Sequence, residues 1–130
     1  MSTRRILLVE DNDGSREGLR DLLQDEGYEV TAVSTGREAR ESFRTARPDL
    51  VVLDLGLPDC NGLHLLAELQ SGEGAPPVIV ASASAYVLGD DSGLESLAEQ
   101  ASATGAAGYL DKPFHFDDLV ALLDGLLGRE

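Results

Sequence analysis

Apolar positions in this chain fall into two alternating kinds of grouping. Short unbroken runs, "RILLVE" (5–10), "EVTAVS" (29–34), "LVVLD" (50–54), "PPVIVAS" (76–82) and "GYL" (108–110), read as strands. The first, third and fourth are so continuously apolar that both faces of each must be covered. Between them, "SREGLRDLLQDE" (15–26) sets Leu19, Leu22 and Leu23 at helical spacing and is stopped by Gly27, while "GREARESFRTA" (36–46) is amphipathic and ends before Pro48. "GLHLLAELQ" (62–70) and "FDDLVALLDGLL" (116–127) repeat the helical period. A weaker helix is expected around Leu94 to Ser102, where Leu94, Leu97 and Ala101 share a stripe, after a loop containing "LGDDSG" whose few apolar anchors predict mobility over residues 87–93. Five strands alternating with five helices predict an α/β fold, a parallel sheet with helices on both faces, because right-handed crossovers pack that way. There is no internal repeat and no dividing linker, so residues 1–130 are expected to form one domain.

Composition narrows the class. The chain has 130 residues and 42% hydrophobic content, enough to bury a core without staples. Its net charge of −14 is uneven: residues 1–49 hold 8 arginines against 11 acids, residues 50–130 only 2 bases against 13 acids. Direct nucleic-acid binding is therefore not expected, since a phosphate backbone needs a cationic footprint. The single cysteine, Cys60, excludes an internal disulfide and cysteine-based metal spacing. The apolar run after Arg4 and Arg5 ends at Glu10, too short for a signal peptide or a membrane span. A reducing, cytoplasmic setting without membrane association is expected.

In open parallel sheets ligands sit beyond the carboxyl ends of the strands. That edge collects Glu10 and Asp11 after the first strand, Asp54 after the third, Ser82 after the fourth and Lys112 after the fifth. Lys112 is the only lysine, among nine arginines. Carboxylates ~5 Å apart at an effective dielectric near 20 repel by roughly 3 kcal/mol per pair, so three of them require a compensating cation. Lys112 supplies one charge; an all-oxygen site favours Mg2+ for the rest, and such a site suits phosphoryl transfer. Ser82 and Lys112 can then each meet a phosphoryl oxygen. Plainer roles exist beside these: Asn12, Asp13 and Ser15 as helix caps, with Asp13 read as a cap rather than a metal ligand, Asp54 as a turn residue with Gly56 and Pro58, and Tyr109 as a core aromatic. Cys60, His64 and His115 have no partner at ligand spacing and are read as surface or packing residues.

"ILLVEDN", "LVVLDLGLPDCNG", "PVIVASA" and "YLDKPF", in that order, resemble the receiver domain of bacterial two-component response regulators, over essentially the whole chain. The resemblance implies a flavodoxin-like, doubly wound five-stranded sheet of order 2-1-3-4-5. It makes Asp54 the phosphoacceptor, Glu10, Asp11 and Asp54 the magnesium pocket with the Gly56 backbone carbonyl, Ser82 the hydroxyl switch, Lys112 the phosphoryl partner and Tyr109 the aromatic switch. It also implies a cis peptide between Lys112 and Pro113. The donor would be a sensor histidine kinase or phosphotransfer protein. The recipient of the signal is an output protein the sequence does not name, reached through the face of the fourth helix, fifth strand and fifth helix. Such a module is not an enzyme beyond its own aspartyl phosphorylation and dephosphorylation. The Ser82–Lys112 interval is longer than the family's by roughly two helical turns. A pseudo-receiver, an interaction module that takes no phosphate, is the alternative. A phosphatase of the haloacid-dehalogenase type would carry a second aspartate where Gly56 stands, and a nucleotide or flavin module would need a glycine-rich loop where "VEDNDGSREG" presents acids. Family-type dimers paired by acidic and basic residues on the same face are not expected, because residues 90–130 contain nine acids and two bases.

Overall fold

Continuous apolar runs become central strands because each side chain, up or down, finds a covered face. In the computed structural model, which describes residues 3–82 and 97–128, these are β1 (Arg5–Val9), β2 (Glu29–Val33), β3 (Leu50–Leu53), β4 (Val78–Ser82) and β5 (Gly108–Asp111). The helices are α1 (Asp13–Asp25), α2 (Gly36–Thr45), α3 (Gly62–Leu69), α4 (Leu97–Thr104) and α5 (Phe116–Leu127). All strands run parallel in one sheet of order β2-β1-β3-β4-β5.

The pleat sorts the core into two layers. Leu7, Val9, Val51, Leu53, Val78 and Val80 face Ala39 of α2, Leu65, Leu66 and Leu69 of α3 and Ala101 of α4. On the other face, Ile6, Leu8, Leu50, Val52, Ile79 and Ala81 meet Leu23 of α1 and Leu119 and Leu123 of α5. Each fully buried aliphatic side chain is worth roughly 1.5–3 kcal/mol, so the register of β1 with β3, Val9 opposite Leu53, is strongly held. That register sets Glu10 and Asp54, the next residues of the two strands, side by side.

Local signals place the helix ends. Asn12, not Asp13, caps α1: its side-chain oxygen accepts the Ser15 N–H at 2.9 Å, and Asp13 is the first helical residue. Gly27, at φ +99°, takes the left-handed conformation that ends α1. Thr35 caps α2 by accepting the Glu38 N–H, and the Glu38 carboxylate reaches back to accept the Ser34 N–H. α4 ends at Thr104, two residues later than its periodicity suggests; the expected mobile loop at 87–93 and the first turn from Leu94 lie outside the described residues.

The loop after β3 closes on itself at Gly62. A Cβ there would lie 2.4 Å from the Leu55 Cα and carbonyl oxygen, and backbone does not yield as a side-chain tip does. Gly62→Ala is therefore expected to cost about 1–3 kcal/mol in urea unfolding followed by circular dichroism. Gly72→Ala, with open space around it, is expected to change little.

Candidate functional site

Four of the residues singled out above converge at the carboxyl edge of the sheet. One carboxylate oxygen each from Glu10, Asp11 and Asp54 lies within 4.8 Å of the others. Backbone bonds continue the sheet to deliver them: the Glu10 N–H donates to the Val33 carbonyl at 3.0 Å and the Asp54 N–H to the Val9 carbonyl at 2.9 Å. Glu10 and Asp54 are buried, while Asp11 is exposed.

Lys112 closes the cluster from above. Its Nζ donates to Glu10 Oε1 and, at 3.1 Å, to Asp54 Oδ2. The remaining oxygens of both acids are also engaged: Asn12 N–H donates to Glu10 Oε2 at 3.1 Å, and Gly56 N–H to Asp54 Oδ1 at 2.9 Å. The Lys112 N–H donates to the Ser82 carbonyl at 2.9 Å, which ties the turn after β5 to the end of β4. The Lys112–Pro113 peptide is cis.

The electrostatics follow from this crowding. Burial raises the Glu10 pKa above its ordinary value and the neighbouring Asp54 adds to the effect; the bonds from Lys112 and the Asn12 N–H only partly offset it. Burial alone would lower the Lys112 pKa, but its bonds to Glu10 and Asp54 win and hold it above the usual lysine range. Among the described residues these three carboxylates against one ammonium leave an uncompensated negative pocket of hard oxygen donors, the donor set that Mg2+ takes.

The other expected residues sit around this centre. Ser82 is buried at the end of β4. Tyr109 is half-buried opposite Val80, against the face covered by α2, α3 and α4. Its phenol is pushed up to about 12 by burial first, then by Asp111 and Asp54. Gly56 meets Asp54 through its N–H.

One contact escaped the sequence reading. Asp59 accepts the Gly36 and Arg37 N–H groups at 2.8 and 3.0 Å, holding the loop after β3 to the start of α2, and these bonds lower its pKa. Twenty-two or more residues separate the partners, so no local pattern betrays it.

Similarity to known proteins extends over most of the chain. The family model for the response regulator receiver domain matches residues 6–124. The virulence transcriptional regulatory protein PhoP of Salmonella typhimurium is 37% identical over 125 residues, 96% of this chain and 52% of PhoP. The chain thus spans about half the length of the curated relatives it matches. Among solved structures, the signal receiver domain of a Luxo repressor protein from Vibrio parahaemolyticus superposes with a TM-score of 0.82 at 31% identity, covering 97% of this chain and 91% of that one. The receiver domain of a sensor histidine kinase from Pseudomonas aeruginosa, described with magnesium coordinated in its active-site cleft, gives 0.80 at 30% identity, covering 98% and 100%.

The raised Glu10 pKa has a signed consequence. Its stability contribution is full below the ordinary value of 4.5 and is lost as pH rises through the higher folded value. Glu10→Gln is therefore expected to have a higher urea midpoint than the parent at pH 7, an advantage that shrinks toward zero below pH 4.5. Parallel urea titrations across that range check it.

Proposed function

This chain belongs to the response regulator receiver domain family, and from that premise we propose that Asp54 is the residue that takes the phosphoryl group. The receiver is a two-component signalling module, and its phosphorelay role fits both the family and the fold. The observation that carries the assignment is the bridging of Asp54 and Glu10 by the only lysine of the chain, at the mouth of an acidic pocket.

The chemistry needs little more than positioning and charge neutralisation. An Asp54 carboxylate oxygen attacks phosphorus as the N–P bond of a donor phosphohistidine breaks, leaving an aspartyl phosphate and the donor imidazole. Hydrolysis later returns the carboxylate and inorganic phosphate. A lysine ammonium has three N–H donors; two go to Glu10 and Asp54, which leaves one for a phosphoryl oxygen. The Ser82 hydroxyl takes a second, and Tyr109 reports the change to the face of α4, β5 and α5. Glu10, Asp11 and Asp54, with the Gly56 carbonyl, would hold Mg2+, which when bound spreads the charge developing on the phosphoryl oxygens.

The donor is a sensor histidine kinase or a phosphotransfer protein in a cytoplasmic setting; none of the described helices is long and apolar enough to cross a membrane. Residues 1–130 act as one receiver domain. The pseudo-receiver alternative gains no support, because Asp54, Ser82 and Lys112 are all present. The described parts of α4, β5, α5 and the turn between β5 and α5 carry Glu99, Asp111, Asp117, Asp118 and Asp124 against a single lysine or arginine, Lys112, which is committed to the pocket.

Two outcomes test this reading. Incubation with a small-molecule phosphodonor and magnesium is expected to add one phosphoryl group to the protein, seen by intact-mass spectrometry, and Asp54→Asn is expected to abolish it. Persistent labelling of the variant would remove the assignment. After phosphorylation, the domain is expected not to form a two-fold dimer held by ion pairs across α4, β5 and α5, since a symmetric contact there joins like charges. Sedimentation at low and high salt checks this.

A further inference from the structure

Among the described residues, one side chain of the acidic pocket has no hydrogen bond to hold it. Glu10 and Asp54 are each fixed through both oxygens, whereas no hydrogen bond among the described residues restrains the exposed Asp11 carboxylate. Its direction therefore depends on the backbone of the turn between β1 and α1. β1 ends at Val9, so the carbonyl of the Glu10–Asp11 peptide lies past the strand and outside its ladder.

Arg16 supplies that carbonyl with a partner. From the first turns of α1, its Nη1 donates to the Glu10 carbonyl at 3.1 Å and its Nη2 to Asp13 Oδ1 at 2.6 Å. The fork spans the turn, with Asp11 and Asn12 between its two acceptors. The Arg16 side chain is only 18% exposed, against 40% for Arg20 on the same helix, although its partner Asp13 is 82% exposed. An ordinary surface ion pair would not require that burial.

We propose that Arg16 is a positioning residue, a guanidinium brace that fixes the Glu10–Asp11 peptide and so aims the Asp11 carboxylate at the pocket it shares with Glu10 and Asp54. This rests on the reading of that pocket as the magnesium site. The role needs arginine, because a planar fork meets two acceptors at fixed separation and an ammonium does not. Electrostatics alone would argue the other way. A positive charge beside a cation pocket weakens cation binding, so deleting it should tighten binding. A brace makes the opposite prediction, and the sign separates the two.

The test titrates the 130-residue chain with magnesium chloride at fixed ionic strength by calorimetry, for the parent, Arg16→Ala, Arg16→Lys, Arg20→Ala and Asp11→Ala. Arg16→Ala is expected to bind Mg2+ about tenfold more weakly, the scale seen when the partners that orient a metal's ligands are removed. Arg16→Lys keeps charge and stem but not the fork, and is expected to fall well short of the parent; it also serves should the alanine variant fold poorly. Arg20→Ala, which removes the same charge from an exposed position, is expected to bind no more weakly than the parent. A metal-free readout accompanies these: hydrogen exchange of the Asn12 amide, which donates to Glu10 Oε2 inside the braced turn, is expected to quicken in Arg16→Ala and not in Arg20→Ala. Unchanged or tighter Mg2+ binding by Arg16→Ala, or full recovery by Arg16→Lys, would overturn the brace, as would unaltered Asn12 exchange. If the parent shows no binding that Asp11→Ala weakens, the magnesium reading itself fails, and Asn12 exchange alone decides whether Arg16 braces the turn.

Discussion

Everything at the functional edge depends on how few positive charges meet three carboxylates. Glu10 and Asp54 are neighbours because β1 and β3 pair in a fixed parallel register, and that register is set by apolar side chains that have no stake in the acids. Repulsion is thus built in by the core. Lys112 answers it from the turn after β5, a strand two places from β3 and so about 10 Å away at ordinary strand spacing. A long, unbranched stem ending in a compact charge is suited to that reach, and the half-buried ammonium is drawn further into its charged form by the two acids.

The compensation is incomplete. Burial, with Asp54 beside it, makes Glu10 resist ionisation despite the bond from Lys112, and one ammonium against three acids leaves the pocket short of positive charge. The cost is tolerable because the frame beneath is rigid: β1, β3 and β4 are buried almost throughout, on both faces. The turns that carry the acids are then tied individually, by the Asn12 cap, by Asp59 at the start of α2 and by the Arg16 fork.

Most of the elements were legible in the chain because their signals are local. Unbroken apolar runs marked the buried strands, and the helical stripe and terminal glycine marked α1; α5 spans the residues its period indicates, Phe116 to Leu127. Where local signals competed, reading from sequence was less exact. Asn12 and Asp13 are both good caps, and only the entry angle of the chain decides for Asn12. α4 runs on to Thr104, past the expected Ser102, where alanines and serines give only a faint period, and Ala101 packs against the core.

What the sequence determined alone was the parallel α/β frame and the set of reactive groups at one edge, since the apolar runs dictate buried parallel strands and the residues following a strand must emerge at its carboxyl end. Tertiary structure alone decided which of those groups touch. That Lys112 binds Glu10 as well as Asp54, that Asp59 secures a helix that precedes it by more than twenty residues, and that Arg16 turns inward to a main-chain carbonyl rather than out to water, are all contacts across the fold. A backbone acceptor has no residue type and a long-range pair has no period, so neither leaves a mark on the chain until the sheet register brings the partners together.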